Sequence, residues 1–208
     1  MIKDFQNNNI NIVLKKTGVT SKDFLNTNFH TYFKNVSSHY LGKFITNKPT
    51  IEAINNYLRD KVVTNEIIVF DDQVIKDIRA LPNVVLPKQD YQLRRVISTT
   101  VSKYQNAGTV LALESIGVTE VEVMSLMGKN TCGYCRQLNG TVFSVPTIAN
   151  RYNQTINVNA LEDLQTYTPF VTSLYKTKAD MPIDPTLLAL SGVVIPFHPH
   201  CQCIYQIH

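Results

Sequence analysis

All four cysteines of this 208-residue chain fall in two short stretches, "TCGYCRQLNG" from Thr131 and "PFHPHCQC" from Pro196. They are Cys132, Cys135, Cys201 and Cys203, and His198 and His200 accompany the second pair. A fold that gives these thiols a shared task must close a loop of more than sixty residues between them. A Cys-x-x-Cys pair on a turn directs both sulfurs to one side, at a spacing suited to Zn–S bonds of about 2.3 Å. His198, Cys201 and Cys203 add three further ligands in a loop stiffened by Pro196 and Pro199. Four of Cys132, Cys135, His198, Cys201 and Cys203 would complete a tetrahedron, with Cys132 and Cys135 both expected to bind and the other two drawn from His198, Cys201 and Cys203.

Such a zinc site is expected to be structural. A catalytic centre keeps one position open for water and places a general base beside it. Neither ligand stretch contains an Asp or Glu, and no His-Glu pair or nuclease-like His-Asn-His spacing accompanies them. No catalytic residue is therefore assigned. His200, between Pro199 and Cys201, is expected to point outward, and His208 to be solvated.

Two other uses of the thiols compete with metal binding. Disulfides Cys132–Cys135 or Cys201–Cys203 would close very small rings, and nothing else in the chain points to an oxidising compartment. A glutaredoxin-like redox site needs its Cys-x-x-Cys where a strand meets the start of a helix. Here "RQLNGTVFSV" follows, which reads as a turn and a strand, so the required helix is expected to be missing.

The length suffices for a sizeable core without covalent staples. With 44% hydrophobic and 17% charged residues, the composition is that of a folded globular protein. The opening "MIKDFQNNNINIVLKK" lacks a signal-peptide core, and no window approaches the roughly 18 apolar residues of a membrane span. The expected compartment is the cytoplasm. Residues 1–60 carry eight Lys/Arg against four Asp/Glu, whereas residues 61–208 balance at twelve of each. This N-terminal surplus is scattered, as on a solvated face, and supports no more than weak, salt-sensitive DNA contact.

Periodicity divides the chain further. Leu25, Phe29, Tyr32/Phe33, Val36, Tyr40 and Phe44 form an aromatic helical stripe, suited to core packing or to a partner's surface. "NKPTIEAINNYLRDKVV" predicts a second helix with Thr50 as its cap, and "DDQVIKDIRALP" a short third that Pro82 ends. Pro82 and Pro87 bracket a joint, separating a helical N-terminal region (1–87) from the remainder (88–208). The longest helix follows, with Asp90 placed to cap it and Gly117 to stop it. "TEVEVMSL" alternates like a half-buried strand, and Asn139-Gly140 then turns the chain into a second strand, "TVFSV". Residues 146–185 read as a polar surface insertion with one helical patch, "NALEDLQTY". "LSGVVIPF" reads as the last strand, which delivers the second cluster. The fold class is α+β: a helical N-terminal region and a long helix packed on a small antiparallel β element tied by a zinc-type Cys/His cluster.

In combination these motifs resemble the phage Mu protein F-like minor head proteins, the phage head morphogenesis family. The resemblance rests on Asn106 in "KYQNAGTVLALESIG", on "VTEVEVMSL", on "CGYCRQLNGTVF" and on "IPFHPHCQC", over residues 90–205. Gln202 stands where the family often has Arg, Phe197 where it has a second Pro, and the insertion before the last motif is long. The resemblance implies a non-enzymatic virion protein at the portal vertex or inside the procapsid of a tailed phage. It implies portal, scaffold or capsid partners, possible contact with the genome, no membrane, and residence in the host cytoplasm during assembly. Residues 1–87 would then be the docking region. The alternatives are a zinc-dependent nucleic-acid-processing enzyme and the leader module of a toxin polyprotein. Against the latter, the sequence runs only five residues past Cys203, so no enzyme domain is expected after it.

Overall fold

A computed structural model describes residues 27–42, 45–63, 72–82, 84–86, 90–125, 127–129, 131–156, 184, 188, 194–197, 201 and 203–208. Helix α1 (Thr27–Leu41) carries the central part of the aromatic stripe, and Tyr32, Val36 and Leu41 are buried. The stripe positions Leu25 and Phe44, and the side chains of Phe29 and Phe33, lie outside the described residues. Helix α2 (Lys48–Val63) packs against α1. A buried polar cluster joins the two: Ser37 Oγ donates to Asn55 Oδ1, and Asn55 Nδ2 donates to Ser38 Oγ at 2.8 Å. Each of these groups would otherwise lose its water without compensation.

The cap of α2 is Asn47 and not Thr50, because Asn47 Oδ1 accepts the Thr50 N–H at 3.1 Å. Thr50 Oγ1 instead accepts the Val85 N–H at 3.3 Å, which fastens segment 84–86 to the start of α2. Helix α3 (Asp72–Ala80) stops just before Pro82 and buries Val74, Ile75 and Ile78. Tyr57 Oη donates to Asp77 Oδ2 at 2.8 Å and links α2 to α3.

Helix α4 (Asp90–Ser115) is the longest element and forms one wall of the core through Leu93, Ile97, Val101, Ala107, Val110 and Leu113. It ends in a Schellman motif: Gly117 N–H reaches Glu114 O and Val118 N–H reaches Leu113 O, both at 3.0 Å. Gly117 sits at φ +78°, the left-handed conformation that a side chain disfavours. Helix α1 lies against α4, and the stripe residues Tyr32 and Val36 are covered by the protein itself.

Strand β1 (Glu120–Met124) buries Val121 and Val123, as its alternation predicts. It is the centre of a three-stranded antiparallel sheet, flanked by β2 (Val142–Ser144) and β3 (Ile204–Ile207). Between β1 and β2 lies a six-residue helix, α5 (Gly133–Leu138), where a bare turn was expected. The Asn139-Gly140 turn does follow, with Gly140 at φ +78° and its N–H donating to Val123 O at 2.8 Å.

Two further expectations are corrected. Residues 145–156 are not a surface insertion but helix α6 (Val145–Ile156), packed on α4 and α1. Val145, Ile148, Ala149 and Tyr152 recur at helical spacing and are all buried, while Ser144 Oγ accepts the Thr147 N–H at 3.4 Å as the cap. The segment 194–197, expected in a strand, consists of bends, and the third strand is Ile204–Ile207. The remainder of "LSGVVIPF" before Val194, the "NALEDLQTY" patch and Pro87 lie outside the described residues.

Candidate metal centre

The register of the sheet assembles the site. Met124 pairs with Ile204, so Ser125 and Cys203, one residue beyond each, leave the sheet side by side. Ser125 Oγ and Cys203 Sγ are 3.1 Å apart and buried. Cys201, like Cys203, is buried. Cys135 approaches from α5, with its Sγ 3.8 Å from that of Cys201. The three sulfurs of Cys135, Cys201 and Cys203 lie within 4.8 Å of one another, and all three residues are buried.

This spacing fits a metal. Four sulfurs at about 2.3 Å around tetrahedral zinc stand about 3.8 Å apart along each edge. The Cys135–Cys201 separation already has that value. The trio comes from two distant parts of the chain, with Cys135 and Cys201 66 positions apart in sequence. An ion held by all three would tie α5 to the entry of β3.

Electrostatics point the same way. Cys135 is pushed above the ordinary thiol range, chiefly by its hydrogen bonds to Cys201 and Cys203 and then by burial. Cys203 is pushed down because Cys135 and Cys201 donate to it, with a smaller contribution from Ser125. One negative charge is therefore readily held on Cys203. Additional thiolates in the same buried space repel one another unless a cation is present.

Cys132 is half-buried and lies outside the close trio. It caps α5, its Sγ accepting the Cys135 N–H at 3.4 Å and its carbonyl the Arg136 N–H at 3.1 Å. Contrary to the sequence expectation, a helix, α5, does follow the first cysteine of the Cys-x-x-Cys. What separates this fold from a thioredoxin-like one is the sheet: the strands flanking α5 pair antiparallel, not as a parallel βαβ unit. His198 and His200 lie outside the described residues, as does Pro199.

Several supporting residues carry no signal in the sequence. Asn139, readable only as a turn residue, accepts the Ser125 N–H on Oδ1 at 2.8 Å and donates its own N–H to Cys135 O at 3.1 Å. It thereby couples the residue beside Cys203 to the helix bearing Cys135. Tyr152 Oη donates to Ile195 O at 2.8 Å, and Tyr205 Oη accepts the Ile195 N–H at 3.1 Å. The Ile195 peptide that leads into the second cluster is thus gripped from α6 and β3.

Asn106, one of the residues behind the family resemblance, donates to Ser102 O at 2.8 Å within α4. Lys103, on the same helix, is buried, its pKa lowered to about 8 by that burial, with Nζ 6.0 Å from the Tyr40 ring centre. No protein-family model, curated protein or solved structure matches the chain. Among the described residues no helix is long and apolar enough to cross a membrane.

Proposed function

We propose that the protein is a non-enzymatic minor head protein of a tailed phage, whose C-terminal part is held together by a structural zinc ion. The observation that carries this reading is the convergence of Cys135, Cys201 and Cys203, two of them from the His-Pro-x-Cys-x-Cys motif and one from the Cys-x-x-Cys motif. The order and pairing of these motifs underlie the resemblance to the head morphogenesis family, and their meeting in space gives the pairing a physical purpose.

The three described ligands are all sulfur, and no carboxylate joins them among the described residues, which suits a closed site rather than a hydrolytic one. Cys132, at the head of α5, and His198 are the groups available for the fourth position. Zinc binding of this kind is worth on the order of 10 kcal/mol of apparent folding free energy in small zinc domains. Here it would hold β3 in register with β1 and fix the second cluster against α5.

In this reading the protein acts through surfaces, joining portal, scaffold or capsid proteins during head assembly, with DNA contact limited to the scattered basic residues of the N-terminal region. The test is co-purification of the full-length chain with procapsids of its source phage. Incorporation into procapsids is expected. A chain absent from procapsids and mature heads alike would overturn the head-protein reading.

A further inference from the structure

Asn139 and Gly140 are the only Asn-Gly pair in the chain. Asparagine is thermolabile, and most so before glycine, which has no side chain to keep its nitrogen away from the asparagine side-chain carbon. The fold uses both residues. Gly140 sits at φ +78°, where a Cβ is disfavoured, and Asn139 Oδ1 accepts the Ser125 N–H at 2.8 Å. In the closed turn, the groups that would react are already engaged. The Gly140 nitrogen, the nucleophile, donates its N–H to Val123 O at 2.8 Å. The Asn139 side-chain carbonyl, the electrophile, is held by Ser125. Ring closure also needs Asn139 Cβ and the Gly140 nitrogen to eclipse about the Cα–C bond. At φ −63° and ψ 131° they are far from eclipsed. Asn139 is nevertheless exposed, so water reaches it.

We propose that Asn139 is a self-modification site gated by this turn, protected while Gly140 is bonded to β1 and deamidated when the turn opens. In the open turn the Gly140 nitrogen attacks Asn139 Cγ. The bond from Cγ to the side-chain nitrogen breaks, and ammonia leaves with the proton that the Gly140 nitrogen gave up. A succinimide ring remains. Water then opens the ring at either carbonyl. Attack at Cγ breaks the new bond and yields aspartate. Attack at the backbone carbonyl breaks the original peptide bond and yields isoaspartate, whose main chain runs through Cβ and Cγ. One water is consumed and one ammonia released, with no change of oxidation state. Aspartate keeps a side-chain acceptor for the Ser125 N–H. Isoaspartate instead adds a main-chain carbon between two turn bonds, Asn139 N–H to Cys135 O and Gly140 N–H to Val123 O, and shifts one against the other. Ser125 touches Cys203 and the Asn139 N–H meets the carbonyl of Cys135, so the change falls where the two cysteine-bearing parts of the chain meet.

The experiment ages the full-length chain, as purified and unfolded in urea, at the same neutral pH and temperature. Peptide mapping with electron-transfer fragmentation follows each asparagine and tells isoaspartate from aspartate. In urea, Asn139 should deamidate faster than every other asparagine of the chain. In the folded chain its rate should fall at least about tenfold, because reaction then tracks the small population of opened turns. Urea below the unfolding transition should raise that rate in step with hydrogen exchange at the Gly140 N–H. Asn139→Gln, with one more carbon to close over, should remove the reaction from this peptide. Equal rates in the folded and unfolded chains would overturn the gate. Another asparagine that outruns Asn139 in urea would overturn the site.

Discussion

Ser125 is the side chain through which the sheet reaches the thiols. Its hydroxyl lies 3.1 Å from Cys203 Sγ, and its own backbone is fixed by Asn139. When Cys203 binds metal as thiolate, the hydroxyl must be the donor. Ser125→Ala should therefore weaken zinc about tenfold, at the low end of the usual range for groups that orient metal ligands, as read by competition with a chromophoric chelator. Unchanged affinity would show that the contact is incidental. The closeness of Cys135, Cys201 and Cys203 was legible from their spacing, since two cysteine pairs in one chain invite a shared site. Ser125 and Asn139 were not, because their roles come from strand register and from a turn closing back on β1. Lys103 belongs to the same scale. Burial lowers its folded pKa to about 8, below the unfolded lysine value, so the unfolded chain binds more protons between about pH 8 and 10.5. Its contribution should therefore be destabilising at pH 7 and relieved as pH rises through that window. Urea unfolding at pH 7 and pH 9.5 should show Lys103→Met more stable than the parent at the lower pH, by up to about 3 kcal/mol, with the gap narrowing at the higher. A gap that stays constant with pH would mean that the lysine is not titrating there.

Among the elements, α4 and β1 were readable because each follows a single period over its whole length and ends at a recognisable signal. Gly117 is that signal for α4, and Gly117→Ala should cost about 1 kcal/mol by forcing a Cβ into the left-handed conformation. For a chain of this size the unfolding temperature should fall by about 2–4 °C, and a variant that melts with the parent would refute the Schellman assignment. Helix α5 escaped notice because it is only six residues long and is capped by a cysteine, outside the usual set of capping residues. Helix α6 was hidden by "TVFSVPTI", where β-branched residues and Pro146 mask the Ser144 cap and the helical repeat from Val145 to Tyr152. The last strand was misplaced because "VVIPF" and "IYQI" are both apolar and β-branched. Only pairing with β1 favours the second, and such pairing is a long-range choice that local pattern does not encode.

For the molecule as a whole, one core runs from α1 through α4 and α6 to the sheet. Tyr32, Val36 and Leu41 are spent on it and are not open to a partner. The cysteine trio sits where this core meets the C-terminal strand, and a metal there would act on the register of the sheet rather than on the helices. Chelation should accordingly release β3 and the second cluster first and leave α1 to α4 helical. The most direct measurement is the metal content of the full-length chain, purified without added metal or chelator, together with its thermal unfolding before and after chelation. The expected result is about one zinc per chain, with a clear fall in unfolding temperature once it is removed. A metal-free preparation whose stability is indifferent to both zinc and chelator would contradict the zinc-tied architecture proposed for this protein.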